Sequence, residues 1–159
     1  MKITLITVGK IKESFYREAV SEYRKRLSRY CSLEIREAED ERTAERMSDT
    51  EKEQILKKEG ERIEKLLPEN AYLVTLEIEG KSYTSEAFAK EIEGLGVRGQ
   101  SHIAFVIGGS LGLHKAIKKR ADLAVSFSEM TFPHQLMRVV LLEQLYRTFR
   151  IINREPYHK

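Results

Sequence analysis

Residues 102–112 read HIAFVIGGSLG: a short, almost wholly apolar run that stops at a pair of glycines. A strand of a half-solvated sheet alternates apolar and polar residues, whereas a parallel strand covered on both faces does not. The run His102–Ile107 therefore predicts a buried parallel strand ending in a Gly-rich turn. Outward from it, Lys2–Val8 (KITLITV, ending at Gly9) and Ala71–Ile78 (AYLVTLEI, ending at Gly80) have the same β-branched character. Ser32–Arg36 and Leu123–Phe127 are weaker strand candidates.

Helical segments alternate with these strands. Lys12–Arg29 places Phe15, Ala19, Tyr23 and Leu27 on one stripe at spacings of four. Thr50–Leu67 follows Ser48, which with Glu51 makes a capping box, and Pro68 ends it. Ser85–Glu93 and Leu113–Arg120 are shorter, and Pro133 suits the first turn of a last helix running to about Arg150. Such alternation predicts an α/β fold with a mostly parallel sheet. No linker, repeat or low-complexity tract divides the chain, so 1–159 reads as a single domain, with 38–49 as its one mobile acidic loop. The last helix is apolar on more than one face. Either it is central to the core or it packs against a second subunit, and a symmetric dimer is the favoured reading.

A domain of 159 residues buries roughly 70% of its unfolded surface and needs no staple. With Cys31 as the only cysteine, an intrachain disulfide and a Cys-rich zinc site are excluded, and a structural role beside Tyr30 is expected. No His/Cys/Asp grouping has metal-ligand spacing. No apolar run reaches the roughly 20 residues of a membrane span, so a cytoplasmic protein is expected. The net charge is +3, but residues 1–30 carry eight Lys/Arg against three Glu, and 131–159 carry five against two, around an acidic 31–70 with eight against thirteen. If the basic ends meet in space, they form a surface for a polyanion.

Three glycines in five residues, Gly108, Gly109 and Gly112, let a ligand approach the backbone, although the spacing matches neither a P-loop nor Gly-x-Gly-x-x-Gly. The loop Ser126–His134 leads from the last strand to the last helix, and both loops could line one pocket at the carboxyl ends of strands. Taken singly, His134 reads as a helix-start residue, and Met130 and Phe132 read as core. Glu143 and Arg147 lie four apart on one helix face, Tyr157 offers a stacking plane, and His158 brings an imidazole suited to proton transfer. These residues leave three classes open: an enzyme acting on a ligand in that pocket, an RNA-binding module without catalysis, and an enzyme binding nucleotide phosphates at Gly108–Gly112.

The segments FVIGGSLGLH (105–114), SFSEMTFPHQLMRVVLLEQLYRTFRI (126–151) and PYHK (156–159), with ITVGKIK (6–12) and LEIEGK (76–81), resemble the ribosomal large-subunit methyltransferase H family. That family is among the smallest of the SPOUT-class methyltransferases, and the resemblance covers essentially the whole chain. It implies helices on both faces of the sheet and a C-terminal trefoil knot. It implies S-adenosyl-L-methionine as cofactor, held by Leu76, Gly108, Phe127, Ser128, Glu129, Met130, Thr131 and Phe132. The implied activity is N3-methylation of a pseudouridine in a 23S rRNA stem-loop on the assembled ribosome. The implied unit is a homodimer, with one subunit's tail reaching the other's cofactor pocket. Among the catalytic candidates, Arg147 would stabilise charge on the base, His158 or Glu143 would take its proton, and Tyr157 would hold it flipped out. The family pattern often has Arg-Gly-Glu before its terminal segment, where this chain has Asn153-Arg154-Glu155; a left-handed turn at 154 would then lack its glycine.

Overall fold

The computed structural model describes residues 1–159. Its strands are β1 (Lys2–Val8), β2 (Ser32–Ala38), β3 (Tyr72–Ser82), β4 (His102–Ile107) and β5 (Leu123–Ser126). They form one parallel sheet in the order β2-β1-β4-β3-β5. The helices are α1 (Ser14–Leu27), α2 (Asp49–Leu66), α3 (Ser85–Val97), α4 (Lys115–Arg120) and α5 (His134–Ile152). Side-chain alternation along the strands divides the interior into two layers. Ile3, Leu5, Val74, Ile103 and Phe105 pack with α1, α3 and α5, while Ile6, Val8, Leu73, Ala104 and Val106 pack with α2 and α4. No helix is long and apolar enough to cross a membrane.

The sequence-based boundaries hold for β1 and β4 and fail instructively elsewhere. β3 does not stop at Gly80 but continues to Ser82. Leu76 and Lys81 both pair with Val125, so residues 77–80 leave the ladder and return to it at the same partner. A Cβ at Gly80 would lie 2.7 Å from the Val125 carbonyl carbon, so only glycine lets the excursion close against β5. Ser48 does cap α2, accepting the Glu51 N–H. α4 starts at Lys115 rather than Leu113, with the His114 ring accepting the Ala116 N–H as its cap. Pro133 is the residue before α5 rather than part of its first turn, and α5 runs on to Ile152. Phe15 is a second correction: it is 60% exposed instead of joining the buried stripe. Cys31 is buried, which pushes its thiol up to about 11 and fits a structural residue.

α5 lies between α1 and α3 on the sheet, which accounts for its apolar breadth. Leu141, Leu142, Leu145 and Phe149 are buried, and a further stripe of Leu136, Val140, Glu143, Arg147 and Ile151 is half-buried. One residue fixes how far α5 slides along the sheet. Arg138 is 2% exposed and donates to Glu37 Oε2 (2.9 Å) and to the carbonyls of Val8 (3.0 Å) and Gly9 (2.6 Å). The guanidinium fork thus ties the first half of α5 to the carboxyl ends of β1 and β2. Burial lowers its pKa, and Glu37 opposes that shift. An ammonium cannot span three acceptors in a plane. Arg138→Lys should therefore cost about 2–3 kcal/mol by leaving a buried carbonyl without a donor, measured as a lower urea midpoint at unchanged m-value.

Candidate functional site

A cleft of about 700 Å³ opens at the carboxyl ends of β3, β4 and β5, within the size range of small-molecule sites. One wall is the β3 excursion, from Leu76 to Glu79. A second is the Gly-rich turn, Gly108–Gly112, and a third is the loop from Phe127 to Pro133 with the first turn of α5. Of the residues expected to hold a cofactor, Leu76, Gly108, Phe127, Ser128, Met130, Thr131 and Phe132 line this cleft; Glu129 is exposed and does not. Met130 and Phe132 are exposed rim residues rather than core. Gly108 has no room for a side chain, because a Cβ there would collide with the Gly112 carbonyl, and Gly112 itself has φ +85°. At its glycines the turn therefore presents bare backbone to the cleft, beside Ser110 and Leu111. His134 also lines the cleft; burial first, then the Arg138 charge, lowers its pKa, so the ring is neutral near pH 7.

Sequence reasoning missed Glu77 and Lys118 in this lining. Glu77 belongs to the excursion, whose existence depends on the β5 register, and Thr75 Oγ1 donates to it at 2.7 Å. Lys118 reaches from α4 to Glu79 at 2.9 Å across the mouth. Apolar surface from Leu76, Ile107, Phe127 and Met137 suits a purine-like ring, while the bare turn and the Lys118–glutamate edge suit polar ends. The residues present therefore fit an adenosyl amino-acid cofactor.

The four catalytic candidates meet in a second cluster further along α5. Arg147 grips Glu143 from Nη2 (2.6 Å) and Nε (3.2 Å) and donates from Nη1 to His158 Nδ1 (3.2 Å). Tyr157 donates its hydroxyl to Glu143 Oε1 (3.1 Å), and the Arg147 guanidinium stands 4.7 Å over the Tyr157 ring. Burial and then the Glu143 hydrogen bond push the Tyr157 hydroxyl up to about 12, so it stays a donor. Since arginine can only donate, His158 Nδ1 is the acceptor, and Nε2 carries the proton donated to Glu86 Oε1 at 2.7 Å. Glu86 sits in the first turn of α3, where its own backbone N–H and then His158 hold its carboxyl below the usual range. No sequence signal pointed to Glu86, because its partner lies seventy-two residues away.

The tail reaches this cluster through a tight reversal. Glu155 N–H donates to Arg150 O (2.8 Å) and Arg154 N–H to Ile151 O (3.0 Å), with Arg154 at φ +54°. That is a Schellman cap with arginine in the left-handed position, a conformation costing a non-glycine residue about 1 kcal/mol. Glu155 accepts from Tyr30 and pairs with Arg150, and Arg150 Nη2 donates to Pro156 O at 2.8 Å. These contacts hold the tail down after the strained turn. They also bring the basic ends of the chain together, as the charge pattern suggested.

Along residues 1–158 the chain matches a family model described as "Predicted SPOUT methyltransferase". It is 60% identical over 159 residues to ribosomal RNA large subunit methyltransferase H of Bifidobacterium adolescentis, and 53% identical to the protein of that name from Acetivibrio thermocellus. Both matches cover 100% of each chain. Among solved structures it resembles "a probable methylase family protein" from Haemophilus influenzae Rd KW20, with a TM-score of 0.57 at 10% identity over 99% of this chain and 70% of that one. A Legionella pneumophila protein solved with the cofactor SAM bound gives a TM-score of 0.50 at 12% identity, over 96% and 66%. These two likenesses bear on the fold alone. A family model spanning the chain, joined to full-length relatives at such identity, is decisive: the chain belongs to the SPOUT methyltransferase family.

Proposed function

We propose that this protein is a cytoplasmic homodimer that transfers the methyl group of S-adenosyl-L-methionine to N3 of a pseudouridine in a 23S rRNA stem-loop, on the assembled ribosome. The observation that carries the reading is one helix, α5, bearing a cofactor-sized cleft at its start and the Arg147–Glu143–Tyr157–His158 cluster near its end. The names of the full-length relatives support rRNA as substrate.

The cofactor, when bound, supplies a methyl group on a sulfonium. The chain's own residues supply position and proton control. N3 of a uracil-type ring is a weak nucleophile until its proton leaves. Glu143 is a poor acceptor for that proton, since Arg147, Tyr157 and Gln144 already donate to its oxygens. His158 is better placed: Nδ1 takes the N3 proton while Glu86, on Nε2, stabilises the imidazolium. Arg147 exchanges its bond to Nδ1 for a base carbonyl, where charge develops, and in turning leaves the Tyr157 ring face for the base to stack on. With the cofactor held by the cleft residues, the deprotonated N3 would be the acceptor of its methyl group.

Cleft and cluster are separated by about 15 Å along α5, taking ten residues from Met137 to Arg147 at 1.5 Å each. A two-fold pairing of the half-buried α5 stripes in antiparallel fashion brings one subunit's cluster to the other's cleft. The reading is tested by mass spectrometry of 23S rRNA after incubation with S-adenosylmethionine. Vacant ribosomes should gain one methyl on a pseudouridine, and naked rRNA should react poorly; no methyl on either substrate rejects the reading. Arg147→Ala should lower kcat about 100-fold or more with S-adenosylhomocysteine affinity unchanged. Gly108→Ala should instead weaken that affinity about tenfold or more, through overpacking of the turn. At a cofactor concentration too low to saturate Gly108→Ala, mixing these two impaired homodimers should restore about a quarter of wild-type activity if sites are composite, because half the dimers then hold one intact site. No recovery on mixing would mean that each subunit works alone.

A further inference from the structure

Arg154 is an arginine in a left-handed position that glycine fills without strain, yet its side chain is exposed and makes no hydrogen bond or ion pair. Strain of this kind persists where a side chain has a use. Around it the two basic ends of the chain converge. Arg29 approaches Glu155 at 3.7 Å, and Arg26 and Arg150 stand over the Tyr146 ring at 5.7 and 5.8 Å. Those arginines are largely committed: Arg26 to Glu22, Arg29 and Arg150 to Glu155. Arg24 and Lys25 in the last turn of α1, with Arg154 and Lys159 on the tail, have no acidic partner. Arginines over the Tyr146 and Tyr30 rings, with cations lacking an acidic partner beside them in the chain, are the footprint of a surface for single-stranded nucleic acid.

We propose that Arg154 binds a phosphate of the RNA backbone, flanking the nucleotide presented to Arg147 and His158, with Lys159 and the last turn of α1 extending the track. The assignment rests on the rRNA reading above and adds the place where the strand is gripped. It accounts for the arginine: the charge at this turn serves the substrate, at the expense of the fold. Glycine at 154 should improve the protein's stability and weaken its hold on RNA, a split that a purely structural residue would not give.

The test uses the full-length protein, vacant ribosomes and a fluorescently labelled pseudouridine-containing RNA stem-loop, titrated across KCl concentrations. Arg154→Gly and Arg154→Asn both tolerate the left-handed turn and both remove the charge. Each should weaken ribosome and stem-loop binding about fivefold and flatten the slope of log affinity against log salt by about 0.7–0.9, the value of one phosphate contact. Arg154→Lys should keep the slope, and Lys58→Gln, on the opposite face of the sheet, should change neither quantity. In the same preparations Arg154→Gly should raise Tm by about 2–4 °C and leave S-adenosylhomocysteine affinity unchanged. Unaltered affinity and slope in Arg154→Gly would overturn the assignment while leaving the rRNA reading intact. Failure of the wild type itself to bind either RNA would overturn both, and shows in a different lane of the experiment.

Discussion

The buried guanidinium of Arg138 is the constraint on which the placement of everything else in α5 depends. A helix packed on a sheet through leucines can slide by a turn at modest cost, because apolar contacts are not directional. Three hydrogen bonds from one planar group to Glu37, Val8 and Gly9 are directional, and they allow one register. With that register set, Pro133, His134 and Met137 fall against the cleft, and Glu143 and Arg147 fall opposite the start of α3, where Glu86 waits. The apolar core supplies the bulk of the stabilisation, and the arginine supplies the uniqueness.

The cleft has a second, backbone-level cause. A regular β3 would run straight past Val125 and leave no wall between itself and the Gly-rich turn. The excursion at 77–80 pushes a carboxylate-bearing loop outward, and Gly80 lets it return against the β5 backbone. Gly108 lets the opposing turn fold back on the Gly112 carbonyl for the same steric reason, and Gly112 supplies the positive φ the turn needs. Two close backbone approaches therefore create the volume, and the surrounding side chains only decide what fills it.

How far the sequence was readable follows from the range of the interactions involved. Strand type and order of elements depend on local burial patterns, so HIAFVI and KITLITV declare themselves. The capping serine at 48 does too, because its partner is three residues away. The excursion in β3 was invisible: its register is set by a strand more than forty residues further on. Phe15 misled for the opposite reason, since a helical stripe shows which residues share a face but not how far the covering surface extends. At the site, Arg147, Glu143, Tyr157 and His158 were accessible through their family pattern and the odd chemistry of the tail, whereas Glu86 and Arg138 matter through partners that only the fold brings near. Position 154 was legible as a departure, and the structure shows the outcome: the turn forms anyway, held by Arg150, Glu155 and Tyr30.

In the free protein the candidate cluster around Arg147 is closed on itself. Arg147 is shared among Glu143, His158 and the Tyr157 ring, and Glu143 accepts from three donors, so no charge stands unpaired while no base is bound. An unpaired charge in a half-buried site is costly, and self-pairing lowers that cost. It also sets a condition on the substrate: a base must replace the bonds it breaks. A uracil-type ring can do so, since it brings a carbonyl oxygen for Arg147, an N–H for His158 Nδ1 and a face for Tyr157. A cytosine-type ring lacks the N3 proton and would leave the half-buried Nδ1 without a donor. On the proposed mechanism, the pairing pattern of the resting cluster would by itself discriminate among bases, before any contact with the surrounding RNA is counted.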